Sequence, residues 1–184
     1  MNEEIFNKNI TEPPLSIEAV PDNETSLANI LRLEKLCFPA EWQYVDGEEY
    51  FADALSDPQS INLFLQNEND VIGYILARPH HLAFEELIDD DPLLTRSIGD
   101  RYYIETIQIV PDEQGKGGGN TLIVAVCDEA KKRGVTQFSI HARTNNRLHE
   151  TIKSLFKEKI TLVRPISSWV HASGEPYEYI EWNI

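Results

Sequence analysis

The chain has 184 residues, one domain's length and enough to bury roughly 70% of its unfolded surface. Apolar residues make up 41% and charged residues 26%, a balance that excludes collagen-like, low-complexity and wholly disordered chains. Sixteen basic against 31 acidic residues leave a formal charge of −15, and no apolar run approaches the roughly 18 residues that a bilayer span needs.

The charge is uneven. Residues 1–100 hold 21 acids and five bases, a balance of −16, whereas 101–184 hold 10 acids and 11 bases, a balance of +1. Such an N-terminal half repels a phosphate backbone and attracts cations, so nucleic acid is not an expected partner; plain solubility is the alternative reading of the acidity. The start Met1-Asn2-Glu3-Glu4 is acidic where a secretory signal is basic, and no apolar core follows. Two cysteines, Cys37 and Cys127, are too few for a disulfide framework and too far apart for a metal pair. Together these features predict a cytoplasmic protein with no membrane partner.

Residues 1–14 are polar, end in Pro13-Pro14 and predict a flexible start. Alternation over 15–20 predicts a strand. Asn23 or Thr25 is placed to cap a helix over about 26–38, with Leu27, Ile30, Leu31 and Leu36 as its apolar stripe and Pro39 as its stop. A second helix is expected over 47–55. Strands follow at 61–65 and 71–77, joined by a turn at 67–70. The stretch 79–100, with Pro79, Pro92 and the run Asp89-Asp90-Asp91, reads as a long connection with a short helix at 83–88. A strong strand covers 102–110. A turn and a glycine-rich run lead into a helix ending at Arg133, where Lys131 and Lys132 complement its dipole and Gly134 stops it. A strand at 135–142, a helix at about 146–158 and two strands at about 160–166 and 177–184, flanking a turn at Ser173-Gly174, complete one α/β or α+β domain over 15–184.

The chemistry-bearing signal is Pro111-Asp-Glu-Gln-Gly-Lys-Gly-Gly-Gly119, between a strand and a helix. Glycines let backbone N–H groups turn outward with no Cβ in the way. The following helix adds unpaired N–H groups and the positive end of its dipole. The combination suits a phosphate or diphosphate, with Lys116 as an added cation; a flexible turn is the bland alternative. A P-loop is excluded, because Lys116 is followed by Gly117 and no glycine stands at 111. A dinucleotide fingerprint is excluded too: its last glycine falls on Asn120 counted from Gly115, and on Leu122 counted from Gly117. Gln114, Gly117 and Gly119 do fit Q-x-x-G-x-G.

With that hexad, the run Tyr103-Ile-Glu-Thr-Ile-Gln-Ile-Val-Pro-Asp-Glu-Gln-Gly-Lys-Gly-Gly-Gly119 and the order of elements from 15 to 184, the chain resembles the GNAT superfamily of N-acetyltransferases. The resemblance implies a mixed central sheet of about seven strands flanked by about four helices. It implies acetyl-coenzyme A as co-substrate, an amine as acceptor and no metal; members often form homodimers. By the same resemblance the diphosphate lies on the amides of Gln114, Gly115, Lys116, Gly117, Gly118 and Gly119. The pantetheine arm pairs with the backbone of Ile107, Gln108 and Ile109, an N–H near Ile107 stabilises the oxyanion, and Asn145 or Asn146 supplies the family's asparagine.

Glu105 is the candidate general base. Simple alternation puts it on one strand face with Tyr103, Ile107 and Ile109, and apolar neighbours raise a carboxyl's pKa. A cross-strand ion pair or an exposed edge carboxylate is the alternative. The chemistry needs a base, because an alkylamine with a pKa of about 10.4 is protonated at neutral pH. For the thiolate the family pattern breaks: Phe156 stands where a tyrosine is frequent. Either the thiolate leaves unassisted or Tyr103, Tyr177 or Tyr179 reaches in. A protein that binds acyl-coenzyme A without turnover is a further alternative; a nucleotide phosphotransferase and an acidic scaffold fit the glycines poorly.

Other residues read as structural. His80 and His81, adjacent in a strand, point to opposite faces. Asp89-Asp90-Asp91 lacks calcium-loop spacing and reads as a solvated loop. Cys127 falls in an apolar helix stripe, and Trp42 reads equally as core or as acceptor-site wall. The acidic N-terminal half predicts a cationic acceptor: a polyamine, an aminoglycoside, a lysine side chain or a protein N-terminus.

Overall fold

A computed structural model describes residues 15–68, 70–97, 99–169 and 174–184. The expected flexible start at 1–14 lies outside the described residues, as do parts of the turns expected at 67–70 and at Ser173-Gly174. The elements are β1 (Leu15–Ala19), α1 (Glu24–Cys37), α2 (Gly47–Ser56), β2 (Ile61–Asn67), β3 (Asp70–Pro79), α3 (His80–Leu87), β4 (Arg101–Ile109), α4 (Gly118–Lys132), β5 (Gln137–Arg143), α5 (Leu148–Phe156), β6 (Ile160–Trp169) and β7 (Glu175–Asn183). Asn23 caps α1: its side chain accepts from the Ser26 N–H at 2.9 Å. The five helices include the short one expected in the 79–100 connection, which starts earlier than expected and takes in His80 and His81. These histidines therefore sit in a helical turn, not on opposite faces of a strand.

The strands form one sheet in the order β1-β2-β3-β4-β5-β7-β6. Every neighbouring pair is antiparallel except β4 and β5. One face is covered by α4 and α5. Leu122, Ile123, Val126, Cys127 and Ala130 of α4, with Ile152 of α5, pack on Leu63, Ile75, Ile104, Phe138, Ile180 and Trp182. Each such buried aliphatic or aromatic side chain contributes about 1.5–3 kcal/mol of transfer free energy. On the other face α1 and α2 cover only the first half of the sheet, through Ile30, Leu33, Phe51 and Ala54 on Phe64, Val71, Tyr74 and Leu76. The β5 and β7 part of that face carries Ser139, His141, Tyr179 and Glu181 instead, all buried and polar or amphipathic.

Two irregularities shape the middle of the sheet. β4 pairs with β5 only over Arg101, Tyr102 and Tyr103, so the two strands part beyond Tyr103. The β3–β4 register also slips: Leu76 faces Thr106, but Ala77 faces Ile104, which leaves Glu105 as an extra residue in β4. This bulge corrects the expected alternation. Ile107 and Ile109 join Tyr102 and Ile104 on the α4 face, while Tyr103, Glu105 and Thr106 line the opposite side.

Candidate active site

The parting of β4 and β5 leaves a backbone edge without a strand partner. The Val110 N–H donates to the Ile72 carbonyl at 2.9 Å, so Val110 faces β3. By alternation Gln108 and Thr106 face β3 too, and the N–H and C=O groups of Ile107 and Ile109 face into the gap. Of the three expected backbone partners, Ile107 and Ile109 thus offer the open edge, while the Gln108 backbone is used within the sheet. The Ile109 carbonyl is met by the Gln114 side-chain amide at 2.9 Å and by the Cys37 thiol at 3.3 Å.

The glycine run sits at the end of this gap. Gly115 and Gly117 have φ of +78° and +91°, backbone angles that a side chain resists by about 1–2 kcal/mol. Gly118 is needed for a different reason, since a Cβ there would lie 2.7 Å from Leu65 Cδ2. Gly117 caps α4 with no side-chain hydrogen bond, so among the described residues no side chain caps the first turn of the helix. A Cβ built on Gly115 or Gly117 meets nothing within 4 Å, so no described residue packs against the loop on that side. Lys116 lies beside them, 3.2 Å from Glu113. Uncapped donors, a helix dipole and a lysine fit a diphosphate, and the Ile107 edge with the Ile109 N–H fits an extended amide-bearing arm.

On the far side of the gap lies a cavity of about 610 Å³. Its walls include Phe38, Trp42 and Tyr44 from the α1–α2 connection, Glu86 from α3, Tyr103 and Glu105 from β4, His141 and Arg143 from β5, and Trp169 and Tyr177 from the last two strands. Trp42 is thus a cavity wall, its ring 4.1 Å from the Arg143 guanidinium, and Arg143 is clasped by Glu175 at 2.6 and 2.9 Å. Asn145 and Asn146 are both exposed, and Asn146 lines the rim of the cavity.

Glu105 is buried and forms the cross-strand ion pair that was the alternative reading: the Arg78 Nε donates to its Oε1 at 2.8 Å. Its pKa is raised: burial is the largest cause, the charge and hydrogen bond of Arg78 oppose it, nearby Glu86 raises it further and Tyr50 lowers it. Tyr44 and Tyr50 stack at 4.2 Å beside it, kept protonated by burial, for Tyr50, and by its charge, for both.

The sequence reading missed a second polar chain. The Tyr103 hydroxyl lies 2.8 Å from His141 Nδ1, and His141 Nε2 lies 3.0 Å from Asp91 Oδ2. Asp91 also takes Arg164 as a partner. Asp91 is 4% exposed, which corrects its reading as part of a solvated loop. Burial opposes its ionisation, but hydrogen bonds from His141 and Arg164 outweigh this and hold it at about 2. An ionised Asp91 fixes the tautomer: Nε2 carries the hydrogen and Nδ1 accepts from Tyr103. The signal for His141 was present in β5, where Ser139, His141 and Arg143 share one face; nothing in the sequence joined Asp91 to it.

The other tyrosines differ in setting. Tyr177 lines the cavity, whereas Tyr179 is buried, donates to Glu181 at 2.9 Å and lies 3.1 Å from His80. Phe156 stacks on Trp182 at 4.9 Å; its place is apolar packing. Among the described residues no group of three or more His, Cys, Asp or Glu is arranged to hold a metal ion, and no helix is long and apolar enough to cross a membrane.

Comparison with known proteins agrees with this geometry. Residues 27–152 match the family model described as Acetyltransferase (GNAT) family, so the chain belongs to that family and is an acyltransferase. No curated protein matches it. Among solved structures, the ribosomal-protein-S18-alanine N-acetyltransferase from Escherichia coli superposes with a TM-score of 0.67 at 18% identity, over 93% of this chain and 94% of that one. Arabidopsis thaliana Naa50 in complex with the bisubstrate analogue CoA-Ac-MVNAL gives 0.63 at 21%, over 92% and 99%. The PaiA N-acetyltransferase from Thermoplasma acidophilum in complex with coenzyme A gives 0.64 at 12%, over 93% and 99%. At these identities the likeness is one of fold.

Proposed function

We propose that the protein transfers an acetyl group from acetyl-coenzyme A to a primary amine, borne by a cationic small molecule or by a peptide. The observation that carries this reading is the gap beyond Tyr103, which leaves the β4 edge free between the uncapped α4 amides and a cavity lined by Glu105, Tyr103 and His141. The amides of 114–119 and Lys116 hold the diphosphate, Ile107 and Ile109 hold the pantetheine arm, and Asn145 or Asn146 supports it. The donor supplies an acyl carbon activated by sulfur. The Ile107 N–H, facing the gap, stabilises negative charge on the carbonyl oxygen.

An alkylammonium sheds two protons on becoming an amide. Glu105, with its raised pKa, accepts the first. The second goes to the Tyr103 oxygen as its own proton passes to His141 Nδ1, where Asp91 balances the imidazolium. The same path returns a proton to the thiolate, a task for which Phe156 has no group. Glu41 and Glu86 at the cavity favour a cationic acceptor. The free thiols Cys37 and Cys127 suit a cytoplasmic setting.

The test is thiol release from acetyl-coenzyme A against cationic, neutral and anionic amines and peptides with free N-termini. Cationic acceptors should be the faster substrates. Glu105→Gln should lower kcat by about 10²–10³ and remove the acidic limb of the pH profile. Near-native turnover by this variant would dismiss the role of Glu105, and no thiol release with any amine would dismiss the transferase reading.

A further inference from the structure

The proton transfer proposed above leaves one arrangement at the cavity unused. Arg78 is a single guanidinium shared by two carboxylates. Its Nε donates to Glu105 Oε1 at 2.8 Å, and its Nη2 donates to Glu86 Oε2 at 2.5 Å. The Arg78 and Glu105 side chains are 12% and 7% exposed, whereas that of Glu86 is 49% exposed. The Arg78 guanidinium also lies 5.3 Å from the Tyr50 ring centroid.

This geometry has three physical consequences. The bulge removes Glu105 from the regular β3–β4 register, and its carboxylate meets the Arg78 guanidinium of the neighbouring strand. Arg78 reaches one carboxylate oxygen of Glu105. Two carboxylates on one guanidinium leave a net negative charge, poorly screened at Glu105 and well solvated at Glu86. The two acids therefore compete for one cation, and the outcome at the buried acid depends on the charge of the half-exposed one.

We propose that Arg78 is a positioning residue that aims Glu105 and keeps it ionised, and that Glu86 on α3 tunes Glu105 by drawing on the same guanidinium. As a statement about catalysis, this rests on Glu105 being the base. The charged and titratable groups facing Glu105 are Arg78 of β3, Glu86 of α3, Tyr44 before α2, Tyr50 of α2, Tyr103 of its own strand and, through Tyr103, His141 of β5. The tyrosines stay neutral, and His141 is bonded to Tyr103 and Asp91. Arg78 and Glu86 are thus the groups whose charge acts on Glu105.

The experiment reads the carboxyl directly. Protein carrying δ-¹³C glutamate is titrated by NMR, with the Glu105 resonance assigned by its loss in Glu105→Gln. Arg78→Met should move the Glu105 midpoint up by about one pH unit, because the main counterweight to burial is removed. Glu86→Gln should move it down, because a like charge is removed and Arg78 turns wholly to Glu105. Arg78→Lys should restore it toward wild type. A merely structural Arg78 would lower the Tm and leave the midpoint in place. Unmoved midpoints in Arg78→Met and Glu86→Gln overturn the proposal. Glu86→Gln changes a half-exposed side chain, so this arm stands even if Arg78→Met fails to fold. In the thiol-release profile, with the panel amine turned over fastest, the acidic limb should shift in the same order. If Glu105→Gln keeps that limb, the base assignment falls, while the titration still decides whether Arg78 and Glu86 control the carboxyl.

Discussion

Asp91, His141 and Tyr103 form a buried line of hydrogen bonds that ends at the cavity. Each member depends on the next. Removing the carboxylate leaves Arg164 and His141 without their anion, so Asp91→Ala should cost about 3–5 kcal/mol, read as a lower denaturant midpoint. The pH dependence follows from the depressed carboxyl. The stability that Asp91 contributes is complete above the unfolded carboxyl's pKa of about 3.9 and is lost as pH falls toward about 2. Tyr103→Phe keeps the ring and deletes the hydroxyl. It should lower kcat by about 10²–10³ and lower the Tm less than Asp91→Ala does, because only the donor to His141 Nδ1 is lost; an unchanged kcat would remove the chain from the proton path. Glu105 was legible as a carboxylate in the strand that leads into the glycine loop, though the bulge turns it away from the face of Ile107 and Ile109. Its partner Arg78 was not, because their meeting depends on strand register. Asp91 was harder still, since three adjacent acids outside any periodic element give no sign of which one turns inward.

At the scale of elements, strand and helix periodicity reads well where it is regular, as in the alternation of β1 and the apolar stripe of α4; in α1 the stripe runs through Leu27, Ile30, Leu31 and Leu33, while the expected Leu36 is 51% exposed. What periodicity misses is where regularity stops. The bulge at Glu105 reverses the faces of Ile107 and Ile109, and the parting of β4 from β5 has no residue signature of its own. The glycine loop was legible because only backbone chemistry explains its composition. The structure separates the roles of its glycines: Gly117 needs a positive φ, while a Cβ on Gly119 would meet only Ile107 Cδ1, at 4.0 Å. Gly117→Ala should therefore weaken coenzyme A binding about tenfold, from about 1–2 kcal/mol of backbone strain. Gly119→Ala should have little effect. Equal losses in isothermal titration would contradict this division.

Across the whole molecule, charge and fold divide the work. The N-terminal half, with its 21 acids and five bases, supplies α1, α2, α3 and the cavity carboxylates Glu41 and Glu86. The near-neutral C-terminal half supplies the glycine loop with Lys116. A cationic acceptor should thus show a KM that rises several-fold as salt shortens the Debye length from about 10 Å toward 3 Å, while a neutral amine's KM stays flat; parallel behaviour would remove charge from acceptor choice. The central claim is that a carrier's diphosphate lies on the amides of 115–119 and its arm threads the gap between β4 and β5. A crystal structure with coenzyme A tests it most directly. Diphosphate on those amides, with the arm hydrogen-bonded to Ile107 and Ile109, is the predicted result; coenzyme A bound elsewhere, or β4 and β5 zipped together along their length, would contradict it.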